Sequence, residues 1–230
     1  MSDFVPIGTI DRRSLIRSLA LAITSAGMLD LDAAQHVHAE NASEKAKGAY
    51  KVKAFEPAEY KTLQRLAELI VPEDEVSGSG VTAGAPEFID LLSSQNDTLA
   101  AIFHGGLAWL DAEMRQRYQS TFASAAPAQQ TAMLDELVKA AGVEAARKSD
   151  ELVFAESPIY RDFSGYTVDR AGDLGPGIVF FDWVRKMTVD AFYTSPIGIK
   201  DLGYKGNGAH SKYTVPDEAL QYALKRSPFV

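Results

Sequence analysis

His104 and His210 are the side chains best suited to proton transfer in the body of this 230-residue chain, and neither has a partner at a recognised spacing. Acyl transfer through a serine needs that serine in a Gly-x-Ser-x-Gly elbow within reach of a histidine, and no such elbow occurs. A di-iron site in a helical bundle needs Glu-x-x-His pairs, which are absent around His36, His38, His104 and His210. With no cysteine, thiolate zinc sites, iron–sulfur ligation, cysteine nucleophiles and disulfides are excluded. "GSGVTAG", residues 78–84, has glycines suited to a phosphate turn, but the spacing is not Gly-x-Gly-x-x-Gly. Glu73, Asp74 and Glu75 beside it would repel a phosphate. Those acids lack the spacing of a calcium loop and read as a solvated turn. No catalytic, cofactor-binding or metal-binding residue emerges, and an enzyme built on His104 or His210 is the weakest of the functional readings.

The elements that would position any site are helical. Pro57 suits a first helical position, and Tyr60, Leu63, Leu66, Ala67 and Ile70 recur at helical spacing until Pro72. Further helices are expected from Pro86, from a cap at Asp97 through Met114, from Pro127 to a stop at Gly142, and over 143–155. Gly105 and Gly106, inside one of them, would bend the helix or admit a close neighbour. "GIVFFDWVRKMTVDAFY", residues 177–193, is the most apolar segment of the body and its expected core helix, with Phe181, Val184, Thr188 and Phe192 along one face. Pro216 opens a last helix containing Leu220, Ala223 and Leu224. Residues 156–177 and 194–216 read as long loops. They hold Tyr160, Phe163, Tyr166, Tyr204 and Tyr213, with Tyr193 at the edge of the second, and loops of that length in a compact domain usually serve a function. The fold class is mainly α: a single helical domain over 55–230, behind a leader at 1–39 and a polar linker at 40–54.

A formal charge of −8 argues against general nucleic-acid binding, which needs a basic surface to displace counterions. The leader contributes little to this acidity. "DRRSLIRSLALAITSAGML", residues 11–29, sets Arg12, Arg13 and Arg17 ahead of an uncharged run from Ser18 to Leu29, well short of the roughly 20 apolar residues that span a bilayer. Val37-His38-Ala39 supplies small residues at −3 and −1 of a cut. The segment resembles a twin-arginine export signal, departing from the pattern at Asp11 and Leu15. Such a route exports folded proteins, together with partners that lack a signal, to the periplasm. A competing reading is an amphipathic helix docked on the body, with Leu15, Leu19, Ala22 and Ala26 near one face, which suits Asp30 and Asp32 better.

Two stretches carry a family resemblance. "LAELIVPEDEVSGSGVTAGAPEFIDLL", residues 66–92, and "FYTSPIGIKDLGYKGN", residues 192–207, are similar to segments of the gluconate 2-dehydrogenase subunit 3 family, over roughly residues 55–207. The resemblance implies a small (gamma) subunit beside a large FAD-containing dehydrogenase of the glucose–methanol–choline type, with electrons passing to a haem c cytochrome subunit where one is present. It implies that the large subunit oxidises the sugar or polyol, as in gluconate, glucose, sorbitol and glucoside 3-dehydrogenases. The small subunit's implied share is to support folding and to supply the export signal, recognised through Arg12 and Arg13. No cofactor is assigned to this chain itself. Tyr193, Pro196, Ile197, Gly198 and Tyr204 are the expected contacts with the large subunit, since exposed aromatics on an acidic domain mark interfaces. Alternatively, Tyr193 and Ile197 merely cap the core helix. The rival function is a free-standing periplasmic helical binding protein.

Overall fold

A computed structural model describes residues 16–18, 20–23, 31–140, 173–204, 215 and 217–226. Every regular element among these residues is helical, and no strand is present. In chain order they are α1 (Leu31–Ala46), α2 (Pro57–Ile70), α3 (Ala85–Ser93), α4 (Asp97–Tyr118), a 3-10 turn (Phe122–Ser124), α5 (Pro127–Ala140), α6 (Gly175–Thr194), α7 (Pro196–Asp201) and α8 (Asp217–Arg226). Residues 16–18 and 20–23 are also helical. The expected helix over 143–155, the stop at Gly142, Arg12, Arg13, His210, Tyr160, Phe163, Tyr166 and Tyr213 lie outside the described residues.

α6 is the hub. It packs against α1, α2, α3, α4, α5 and α7, which is why its sequence is apolar over most of its circumference. Ile178, Phe180, Val184, Met187, Thr188, Ala191 and Phe192 are all buried. Phe181, expected on the core face, is only half-buried, because the neighbours on several sides turn the helix to favour Phe180. Phe88, Phe103, Phe122, Phe180 and Phe192 are the largest fully enclosed side chains, each contributing roughly 2–3 kcal/mol by leaving water. Phe103 and Phe180 meet edge to face with centroids 6.0 Å apart, an arrangement the ring quadrupole favours.

Local chemistry sets the helix boundaries. Pro57 occupies the first turn of α2, where its missing N–H costs nothing, and the Glu56 N–H donates to Glu59 Oε2 at 2.9 Å. The cap of α4 is Asn96 rather than Asp97: Asn96 Oδ1 accepts from the N–H groups of Thr98 and Leu99 at 2.9 and 3.1 Å. α3 is buried along its whole length. The close neighbour expected at Gly106 is Phe180, whose Cγ would lie 2.1 Å from a Cβ built there, whereas Gly105 faces open space.

Two readings of the N-terminal third need revision. Residues 40–46, expected within a linker, are the second half of α1, and the stretch after it is tied down by the wholly buried Asp90. Asp90 accepts from Tyr50 Oη at 2.7 Å and from the N–H groups of Lys53, Ala54 and Phe55 at 2.9, 2.9 and 3.3 Å. Leader residues Ile16, Ala20 and Ile23 are buried in the same apolar cluster as Phe88 and Leu92, a different set from the docked-helix face expected at Leu15, Leu19, Ala22 and Ala26, of which Ala22 is half-buried and the other three lie outside the described residues. The loop expected at 194–216 begins with α7, a single short helix.

Candidate functional site

The segment from Tyr193 to Tyr204 turns a corner between α6 and α7, and Ser195 makes that turn. Its Oγ accepts from the Gly198 N–H at 3.1 Å as the cap of α7 and donates to the Phe192 carbonyl at 2.6 Å. The same tightness explains the glycine: a Cβ at Gly198 would sit 2.1 Å from the Phe192 carbonyl oxygen. Gly198 is therefore buried and serves the turn. Around it, Tyr193, Leu202 and Tyr204 are 40%, 61% and 44% exposed, Pro196 is exposed and Ile197 half-buried. Tyr193 stands edge-on to Phe192 with centroids 5.0 Å apart, one ring in the core and the other at the surface. The turn thus displays an aromatic and aliphatic edge on an acidic chain.

Beside this edge lies a groove of about 560 Å³ between α1, the 82–84 turn and the start of α7. His38, Asn41, Lys45, Thr194, Pro196 and Ile199 are among its lining residues. His38 Nε2 is 3.1 Å from Thr194 Oγ1, and its ring centroid is 5.1 Å from that of Phe88. Burial pulls the His38 pKa down to about 4, opposed in part by a hydrogen bond to the Ala191 carbonyl, so the ring is neutral near pH 7. Asn41 is 5% exposed, and neither atom of its carboxamide has a hydrogen-bond partner. Lys45, one of the lining residues, has its Nζ 2.6 Å from Oε1 of Glu87 in α3. On the last turn of α6, Asp190 is raised by burial to about 7, Lys186 opposing the shift.

A second exposed apolar feature is α8, where Leu220, Tyr222 and Leu224 are 46%, 60% and 42% exposed. The two leucines sit four residues apart, hence on one helical face. That spacing was visible in the sequence, but an i, i+4 leucine pair reads equally well as a core-facing stripe. The groove was not visible, because His38 and Thr194 are 156 residues apart.

The groups suspected of acid–base or ionic roles sit in structural arrangements. His104 Nδ1 pairs with Glu59 Oε1 at 2.8 Å near the surface, with Phe55 against its ring. Asp74 accepts from the N–H groups of Val76 and Ser77 at 2.8 and 2.7 Å, a turn-stabilising pattern that holds its pKa below the usual carboxylate value. Among the described residues no group of three or more His, Asp or Glu side chains is arranged to hold a metal ion. No helix among them is long and apolar enough to cross a membrane.

The family model described as "Gluconate 2-dehydrogenase subunit 3" matches residues 57–209, which takes in α2 to α7 and the whole of both quoted stretches. No curated protein and no solved structure matches the chain.

Proposed function

The chain belongs to the gluconate 2-dehydrogenase subunit 3 family, and from that membership we propose that it is the non-catalytic small subunit of a periplasmic FAD-dependent sugar or polyol dehydrogenase. In this reading it supports the folding and export of a large flavoprotein of the glucose–methanol–choline type, which binds FAD and oxidises the sugar. A haem c subunit takes the electrons where one is present. Arg12 and Arg13 supply the signal read by the twin-arginine export machinery. The family match carries the proposal, and it is supported by the exposed edge of Tyr193, Pro196, Leu202 and Tyr204 on a chain of formal charge −8.

Aromatic side chains supply large contact area at low entropy cost, so they dominate the energetics of small interfaces. Tyr193 and Tyr204 are accordingly assigned to the contact with the large subunit, with Pro196 and Ile197 beside them. Gly198 holds the turn that presents them.

Coexpression with and without the neighbouring large-subunit reading frame, followed by size exclusion and flavin absorbance, tests the assembly. Expected is a flavin-containing heteromer that loses half or more of its yield when Tyr193 and Tyr204 are both changed to serine. Unchanged periplasmic flavoprotein after Arg12→Lys and Arg13→Lys would sink the export role. A free-standing periplasmic binding protein is the second reading, favoured by the groove with the unpartnered Asn41 carboxamide. It predicts a stable monomer that never copurifies with flavin.

A further inference from the structure

The bond at which the leader's small residues invite a cut lies inside a packed helix. α1 runs from Leu31 to Ala46 through Val37, His38 and Ala39. On its N-terminal half, Ala34 and Val37 are 0% exposed and belong to the apolar cluster that contains Phe88 and Leu92. On its C-terminal half, Asn41 is buried and Lys45 reaches Glu87 of α3 at 2.6 Å. His38 joins the halves: its ring lies against Phe88, and its Nε2 is 3.1 Å from Thr194 at the end of α6. Both sides of Ala39 therefore hold to α3, and His38 adds a contact with α6.

Proteases act on exposed, locally unfolded chain rather than on packed helix. A cut after Ala39 would also strip Ala33, Ala34 and Val37 from over α3 and leave only residues 40–46, too short a segment to hold helical form unaided. It would remove Gln35, His38 and Ala39 from the lining of the groove as well. We infer that the Ala39–Glu40 bond is not processed, and that residues 31–46 are a permanent part of the mature domain. The role of Arg12 and Arg13 as a signal is a separate matter, and only the comparison of exported forms rests on that reading.

Intact mass and N-terminal sequencing of the chain purified from the periplasm with its partner test the inference. Expected is an N-terminus at or before Leu31; an N-terminus at Glu40 overturns it. A second measurement uses full-length variants. Val37→Asp places a carboxylate in the core, whereas His36→Asp adds the same charge at a neighbouring exposed position. If the helix is retained, the purified Val37→Asp protein melts about 10 °C or more below wild type, or fails to accumulate, while His36→Asp melts within about 2 °C of it. If residues before Glu40 are discarded, both variants mature to the same protein and melt alike, which overturns the inference. Chain made in the cytoplasm, which is not exposed to the cut, supplies the reference contrast: absence of chain from the periplasm marks failure of the export role, whereas loss of the contrast in periplasmic chain alone marks failure of this inference.

Discussion

Asn96 Nδ2 donates to the Ala20 carbonyl at 2.8 Å, so the residue that caps α4 also holds the leader against the body, across 76 positions of sequence. The other end of the same carboxamide accepts from the Thr98 and Leu99 N–H groups. Serine at this position keeps the cap but is too short to reach Ala20, and alanine loses both. Asn96→Ala is expected to cost about 2–3 kcal/mol of unfolding free energy and Asn96→Ser about 1–2 kcal/mol. Urea unfolding of the two variants separates the cap from the long-range bond. A serine variant as stable as wild type would show that the Ala20 bond contributes nothing, and equal losses for both would show the same of the cap.

Adjacent glycines in α4 make a matched pair. Gly106 lies against Phe180, with no room for a Cβ, and Gly105 has nothing within 4 Å. Gly105→Ala is expected to raise stability by about 0.5–1 kcal/mol, the helix-propensity gain alone. Gly106→Ala must move a buried aromatic ring and is expected to cost about 1–3 kcal/mol or more. Opposite shifts in melting temperature from two identical substitutions at neighbouring positions are the result to look for.

Much of this fold was legible because proline and leucine spacing report helices directly: Pro57 and Pro127 open α2 and α5 where the sequence places them. α1 was hidden for a physical reason. Its buried positions are Ala33, Ala34, Val37 and Asn41, three of them small or polar, so the helix shows no apolar stripe even though its inner face is closed off from water. The cap of α4 was misplaced by one residue because Asn96 and Asp97 are both good capping types, and only backbone geometry selects between them. At the candidate interface, the exposure of Tyr193 and Tyr204 agrees with a surface role, but nothing in a linear pattern distinguishes a contact glycine from Gly198, which a Cβ would drive into the Phe192 carbonyl.

Asp90 anchors the connection between α1 and α2 through one hydroxyl and three backbone N–H groups while wholly buried. An amide in its place must turn an NH2 group toward donors and leaves part of the set unmatched. Asp90→Asn is expected to destabilise by about 3 kcal/mol or more, and Tyr50→Phe by about 1 kcal/mol. The same burial and the same carboxylate push the Tyr50 phenol well above its ordinary pKa. Tyr50 should therefore remain protonated in an ultraviolet titration that ionises exposed tyrosines.

His38 and Asp190 bias stability in opposite directions along the pH axis. The His38 pKa falls from 6.5 to about 4 on folding, so below pH 6.5 the unfolded chain binds a proton that the folded chain refuses. Stability falls as the pH drops from 6.5 toward 4, by up to about 3 kcal/mol. Asp190 rises from 3.8 to about 7, so the folded chain keeps a proton that the unfolded chain releases. Its contribution is lost as the pH climbs from 4 toward 7, by up to about 4 kcal/mol. Between pH 4 and 6.5 the two slopes oppose each other and the wild-type curve is nearly flat for this pair. Single variants expose them. Asp190→Asn should melt higher than wild type at pH 8, gaining nothing at pH 4, and its stability should then fall with acid through the His38 window. His38→Asn should remove that acid-side fall and leave the loss on the alkaline side. If Asp190→Asn melts at the same offset from wild type at pH 4 and pH 8, the carboxyl is not titrating on folding, and its burial beside Thr194 has no electrostatic consequence for the turn that presents Tyr193.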